Sequence, residues 1–178
     1  GSLPFLLRQC GDTRFPIFGS TLTLALVREK LREMDLEHDA ELINLDASER
    51  ISMGGLEVEC LPMAHSFPQA MGLAIHTPIG IVVHTGDYRL DLPDPHGSPS
   101  LEALRAYGDA GRILLLMADS TNVDREGYSY DEASVKRGLE AVLAAAEQTI
   151  ILATFSSSIH RVQTVLDLAR QLGRKVAV

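Results

Sequence analysis

The residues best suited to chemistry fall in four short segments, each placed just after an apolar run. Ala64-His65-Ser66-Phe67-Pro68 follows a strand-like stretch. An imidazole there, on backbone stiffened by Pro68, suits a metal ligand or a base pointing into a cleft. The alternative is a loop histidine hydrogen-bonded to its own backbone. His84-Thr85-Gly86-Asp87 ends a second strand-like stretch, where Asp87 either joins His65 at a metal or caps a glycine turn. Asp119-Ser120-Thr121-Asn122 is the third segment. Strand-end polar residues line the active edge of many α/β proteins, and they equally form turns at a domain crossing. The fourth is Thr154-Phe155-Ser156-Ser157-Ser158-Ile159-His160-Arg161. Hydroxyls ahead of a helix, with His160 and Arg161 in its first turn, suit an oxyanion or phosphate; plain capping by Ser157 or Ser158 accounts for the serines without a ligand.

These segments need elements to hold them. Phe15 to Phe18 reads as a short strand ended by Gly19. Ser20 caps a helix from about Thr21 to Met34, with Leu22, Leu24, Leu26, Val27 and Leu31 on its apolar side. Glu41 to Leu45 is the next strand, and Met53-Gly54-Gly55 turns into a longer one, Leu56 to Met63. Strands Met71 to His76 and Ile81 to Thr85 are joined by Thr77-Pro78-Ile79-Gly80, which suits a tight turn. With Pro78 and Ile79 as the turn centre, antiparallel pairing sets Asp87 opposite Ala70, a few residues from His65. A helix from Leu101 to Tyr107 leads to a buried strand, Ile113 to Ala118. A second βαβ pattern then begins: a helix from about Asp131 to Glu147, a strand Thr149 to Thr154, a helix from about Ser158 to Leu172, and a final strand, Arg174 to Val178. Such alternation implies a parallel sheet, with a domain boundary near residues 121 to 130. His76 and His84 sit among apolar neighbours and read as hydrogen-bonded core histidines, while His38 and His96 read as solvated loop residues.

Composition narrows the classes. The 178 residues are 46% hydrophobic and 22% charged, enough for a real core and about one domain, or one and part of another. Sixteen Lys and Arg against 24 Asp and Glu leave a net charge of −8, which argues against a broad basic face for nucleic acid. Bound metal ions could still supply positive charge locally. The apolar run Ile113 to Ala118 is far short of the roughly 20 residues that span a membrane, and no signal-peptide pattern opens the chain. Cys10 and Cys60, each in an apolar stretch, read as buried, reduced thiols of a cytoplasmic protein. Gly1-Ser2 is either a cloning scar or the start of a helix already under way. With the closing strand stopping in mid-run, the chain is expected to be a piece of something larger.

Taken in order, His65-Ser66-Phe67-Pro68, Gly72 through Pro78, His84-Thr85-Gly86-Asp87-Tyr88, Asp119-Ser120-Thr121-Asn122 and Ala153 through Gln163 resemble ribonuclease J. This is a bacterial and archaeal branch of the metallo-β-lactamase-fold nucleases that carry a β-CASP domain. The resemblance covers nearly the whole chain and implies an α/β fold: part of a metallo-β-lactamase αββα sandwich over residues 1–122, then the opening of a β-CASP domain over 123–178. It implies two zinc ions, or manganese or magnesium, with His65 a ligand and Asp87 bridging both. Such ions would activate water and offset charge at a phosphodiester. His84, Asp119 and Ser120 would stand behind the ligands, and Ser157, Ser158, His160 and Arg161 would meet RNA phosphate. The implied activity is endonucleolytic and 5′-to-3′ exonucleolytic cleavage of RNA, preferably 5′-monophosphorylated, in messenger decay and ribosomal RNA maturation. The implied assembly is a cytoplasmic homodimer or homotetramer with no membrane partner.

The departures carry equal weight. The family's His-x-His-x-Asp-His run occurs nowhere in these 178 residues, so the chain alone is expected to be inactive. Gln69-Ala70 stands where the family has Asp-Ser. Two other readings remain open: another metallo-β-lactamase-fold phosphodiesterase that processes tRNA or DNA, and a metal-free interaction module.

Overall fold

The computed structural model describes residues 2–10, 14–89, 99–127 and 132–177; His96 and Asp131 lie outside them. Helix α1 (Leu3–Gln9) carries Pro4 in its first turn, where a missing N–H leaves no bond unmade. Strands β1 (Phe15–Gly19) and β2 (Ala40–Asn44) run parallel, so the chain between them must cross over. Helix α2 (Thr21–Arg32) and a short 3-10 turn (Glu37–Asp39) make that crossover. Ser20 caps α2 as expected, its Oγ accepting the Thr23 amide. Leu7, Leu31, Leu36 and Ala40 close one core against Phe15, Ile17 and Val27. Leu26, expected on the inner side of α2, is about half exposed instead, since the strand pair covers only one stripe of the helix.

The second sheet has five strands in sequence order: β3 (Arg50–Met53), β4 (Leu56–Pro62), β5 (Met71–Thr77), β6 (Gly80–His84) and β7 (Ile113–Met117). The first three pairings are antiparallel and the last is parallel. Strand β3 was not anticipated. It is short and largely exposed, and forms because Gly54 and Gly55, at φ +57° and +83°, give the two-residue turn that folds it onto β4. The β5–β6 hairpin has the expected register, from Thr77 opposite Gly80 to Leu73 opposite His84. Leu61, Met63, Ala74, Ile81 and Val83 bury one face of this sheet against Ala103, Leu104 and Tyr107 of α3 (Pro99–Asp109).

Three expectations need correction. Strand β7 forms but is not buried: Leu114, Leu115, Leu116 and Met117 are each about half exposed. Among the described residues it pairs on one side only, with β6, and only Ile113 reaches the core. His84 is exposed, because the alternation that buries Ile81 and Val83 turns the even-numbered residues of β6 away from the core. The strands expected at 149–154 and 174–178 are absent among the described residues, and so is a sheet between them. A strand exists through its ladder partner, and here none pairs with 149–154; Ile151 is 95% exposed. The Arg174 guanidinium instead donates to the Ala146 and Gln148 carbonyls. Helices α4 (Glu132–Ala145) and α5 (Ile159–Gln171) do form, and bury Leu143, Leu168 and Ala169.

Candidate functional site

The loop after β4 is tied down at several points. The Met63 amide donates to the Ala70 carbonyl at 2.9 Å, and the Arg89 amide to the Ala64 carbonyl at 2.7 Å. This second bond joins the His65 loop to the segment carrying Asp87. Within the loop the Phe67 amide donates to His65 Nδ1 at 3.3 Å. A lone pair on Nδ1 used in this way leaves the proton of the neutral ring on Nε2. His65 thus has the backbone bond of the plainer sequence reading, while its ring still faces a cavity.

The end of β6 is closed by two glycines. Gly86 sits at φ +61°, and a Cβ there would lie 2.8 Å from the Met71 carbonyl oxygen. A Cβ on Gly72 would lie 2.9 Å from the carbonyl oxygens of both His84 and Thr85. Only hydrogen at these positions lets β5 and β6 approach so closely beside the site. The buried Thr85 hydroxyl donates to the Gly86 carbonyl and accepts the Asp119 amide, which links the third segment to the second.

His65, Asp87, Asp119, Ser157, Ser158 and Arg161 line one cavity of about 630 Å³. Residues from all four sequence segments therefore meet, although 96 positions separate His65 from Arg161 (161 less 65). Hydrogen bonds from the Thr121 hydroxyl and amide hold the Asp119 carboxyl below its ordinary range, helped by the Tyr88 amide and the nearby His65. Thr121 and Asn122 share the lining, but Ser120 does not; its hydroxyl turns to the Ala118 carbonyl. His84 is also outside the lining, its Nδ1 accepting the Gly86 amide at 2.9 Å. His160 lies in an adjoining cleft of about 510 Å³ that shares His65, Arg89 and Glu132. Ser158 takes the N-cap position of α5, yet its side chain makes no capping bond, so the capping expected of Ser157 or Ser158 is not carried by that hydroxyl.

Sequence reasoning named Arg161 but missed the rest of its ionic cluster in this cavity, Arg89 and Glu132. Arg89 donates to Glu132 Oε1 at 2.7 Å, and Arg161 approaches the same oxygen at 3.5 Å. Two guanidinium groups thus face one carboxylate beside the start of α5. The Nε of Arg161 is shielded from solvent and has no hydrogen-bond partner among the described residues. The only signal available beforehand was Arg89 lying two residues beyond Asp87.

The donor chemistry of His65 and Asp87, an imidazole nitrogen and a carboxylate, suits zinc or manganese. The number does not suffice. Among the described residues no group of three or more His, Cys, Asp or Glu comes together to hold a metal ion. These residues therefore fit a metal in kind but do not close a site around one.

No protein-family model matches the chain. Among curated proteins, Ribonuclease J of Thermus thermophilus is 40% identical over 182 residues, an alignment covering 100% of this chain and 32% of that protein. Ribonuclease J of Corynebacterium glutamicum is 39% identical over 178 residues, covering 99% of this chain and 24% of that protein. Over its whole length the chain is homologous to ribonuclease J. It spans a third or less of the length of these ribonuclease J relatives. Among solved structures, a protein of unknown function from Enterococcus faecalis V583 superposes on 88% of the chain, and on 43% of its own, with a TM-score of 0.58 at 22% identity. That likeness speaks to the α/β fold alone.

Proposed function

We propose that this chain is part of a ribonuclease J-like, metal-dependent RNA phosphodiesterase with endonucleolytic and 5′-to-3′ exonucleolytic activity in messenger decay and ribosomal RNA maturation. In this reading residues 1–122 are part of a metallo-β-lactamase domain and residues 123–178 open a β-CASP domain. The single observation that carries it is the convergence of His65, Asp87, Asp119 and Arg161 on one cavity. His65 and Asp87 would hold metal, zinc or else manganese, with further ligands from outside these residues. The metal would supply activated water and positive charge toward the phosphodiester. Arg161, with Ser157 and Ser158 at the start of α5, would receive a phosphate of the RNA, and Glu132 would hold Arg161 and Arg89 ready until it arrives. A net charge of −8 is compatible with this, because bound metal would supply the positive charge locally.

The experiment compares 5′-monophosphorylated RNA, 5′-triphosphorylated RNA and DNA as substrates of the full-length gene product, with zinc or manganese added. Preferred cleavage of 5′-monophosphorylated RNA supports the proposal. Preference for DNA or for precursor tRNA would favour a relative with another substrate, and metal-independent binding without cleavage would favour an interaction module.

A further inference from the structure

The loop that carries His65 is hydrogen-bonded to helix α2, outside the cavity that holds Asp87. The Leu22 amide of α2 donates to Gln69 Oε1 at 3.2 Å, across 47 residues of sequence. Phe67 lies against the groove formed by Leu3, Pro4, Leu26, Val27 and Leu31. The first turn of a helix leaves amides without partners inside the helix. In α2 the Thr23 amide is taken by Ser20 and the Leu22 amide by Gln69. Gln69 has a left-handed backbone at φ +60°, which a non-glycine residue adopts only when something holds it there. The same loop contains the Phe67 amide that donates to His65 Nδ1.

We propose that Gln69 is a positioning residue: by capping α2 from the loop, its side-chain amide sets the orientation of the His65 ring. Gln69 binds α2 two residues beyond Phe67, whose amide meets the ring, so the ring is referred to the helix rather than to a free loop. The assignment of a functional purpose rests on the reading of His65 given above; the mechanical link does not.

The link is tested on the full-length gene product by amide hydrogen exchange at Leu22 and by the ring nitrogen and proton shifts of His65. Gln69→Ala should speed Leu22 exchange by about three- to tenfold and move the His65 ring signals. Gln69→Glu keeps an acceptor at the helix start and should restore both. Unchanged Leu22 exchange in Gln69→Ala, or faster exchange with the His65 signals unmoved, would overturn the proposal. Failure of the functional reading is distinguishable: it would leave both nuclear-magnetic signatures in place while His65→Ala had no effect on RNA cleavage by the full-length gene product.

Discussion

Arg89 and Glu132 are 43 residues apart in sequence, yet Nη1 of the first donates to Oε1 of the second at 2.7 Å in the wall of the candidate site. Arg161 comes to the same carboxylate, so two cations converge on one anion next to Asp87 and Asp119. The arrangement separates two roles. In the proposed function His65 and Asp87 would supply metal donors, and the arginines phosphate contacts.

That separation predicts different outcomes for the two groups. In the full-length gene product, Arg161→Ala should weaken binding of 5′-monophosphorylated RNA by about tenfold, the effect of one lost charge-assisted contact, while bound zinc or manganese stays the same. Equilibrium binding and metal analysis on the same sample check it. Unchanged RNA affinity would return the serines and Arg161 to a purely structural part.

Gly86 and Gly108 should respond with opposite signs to the same substitution. Gly86→Ala forces a side chain into a φ of +61° and to within 2.8 Å of the Met71 carbonyl, so it should destabilise by about 2 kcal/mol or more. Gly108 lies near the end of α3 with open space around its Cα, and Gly108→Ala should be neutral or stabilising by up to about 1 kcal/mol. Chemical denaturation of the two variants settles the signs.

A cluster away from the site sets a pH dependence. Glu59 Oε2 receives Tyr107 Oη at 2.6 Å, Arg50 Nη2 at 2.8 Å and His76 Nε2 at 3.0 Å, joining β3, β4, β5 and α3. Burial is the largest single influence on this carboxyl and raises its pKa. The hydrogen bonds from Tyr107 and His76, with the charge of Arg50, together outweigh it and hold the group below the ordinary carboxylate range. The folded value thus lies below the unfolded one. The stability contributed is fully present above the ordinary carboxylate pKa and is lost as the pH falls through the folded value. Glu59→Gln should flatten the acid side of the stability profile, as thermal melts across pH would record.

Much of this site was legible beforehand because it depends on local rules. The turn at Pro78-Ile79 determines the pairing of Leu73 with His84, and the same register continued sets Ala70 opposite Asp87. Ser20 announced the start of α2 through its type and position alone. What was not legible depends on distant partners. Glu132 gave no sign that two arginines would seek it, since neither is near in sequence. The apolar run at 149–154 resembles a strand by composition, but composition cannot supply the neighbour that a strand pairs with. His84 was misread because alternation along β6 decides its direction, and the apolar neighbours on either side conceal that.

The 178-residue chain by itself should not cleave RNA, because His65 and Asp87 are too few to close a metal site. Incubation with 5′-monophosphorylated RNA and added zinc or manganese should leave the substrate intact. Cleavage that Asp87→Ala abolishes would mean that the ligands had been wrongly identified.

In the proposed function Asp87 would hold metal at the centre that cleaves RNA. The most direct measurement is the rate at which the full-length gene product cleaves 5′-monophosphorylated RNA with manganese or zinc present, for the wild type and for Asp87→Ala. The substitution should lower the rate by about a thousandfold, together with loss of bound metal and with the fold retained. A variant that cleaves within a few-fold of the wild-type rate with its metal still bound would contradict it.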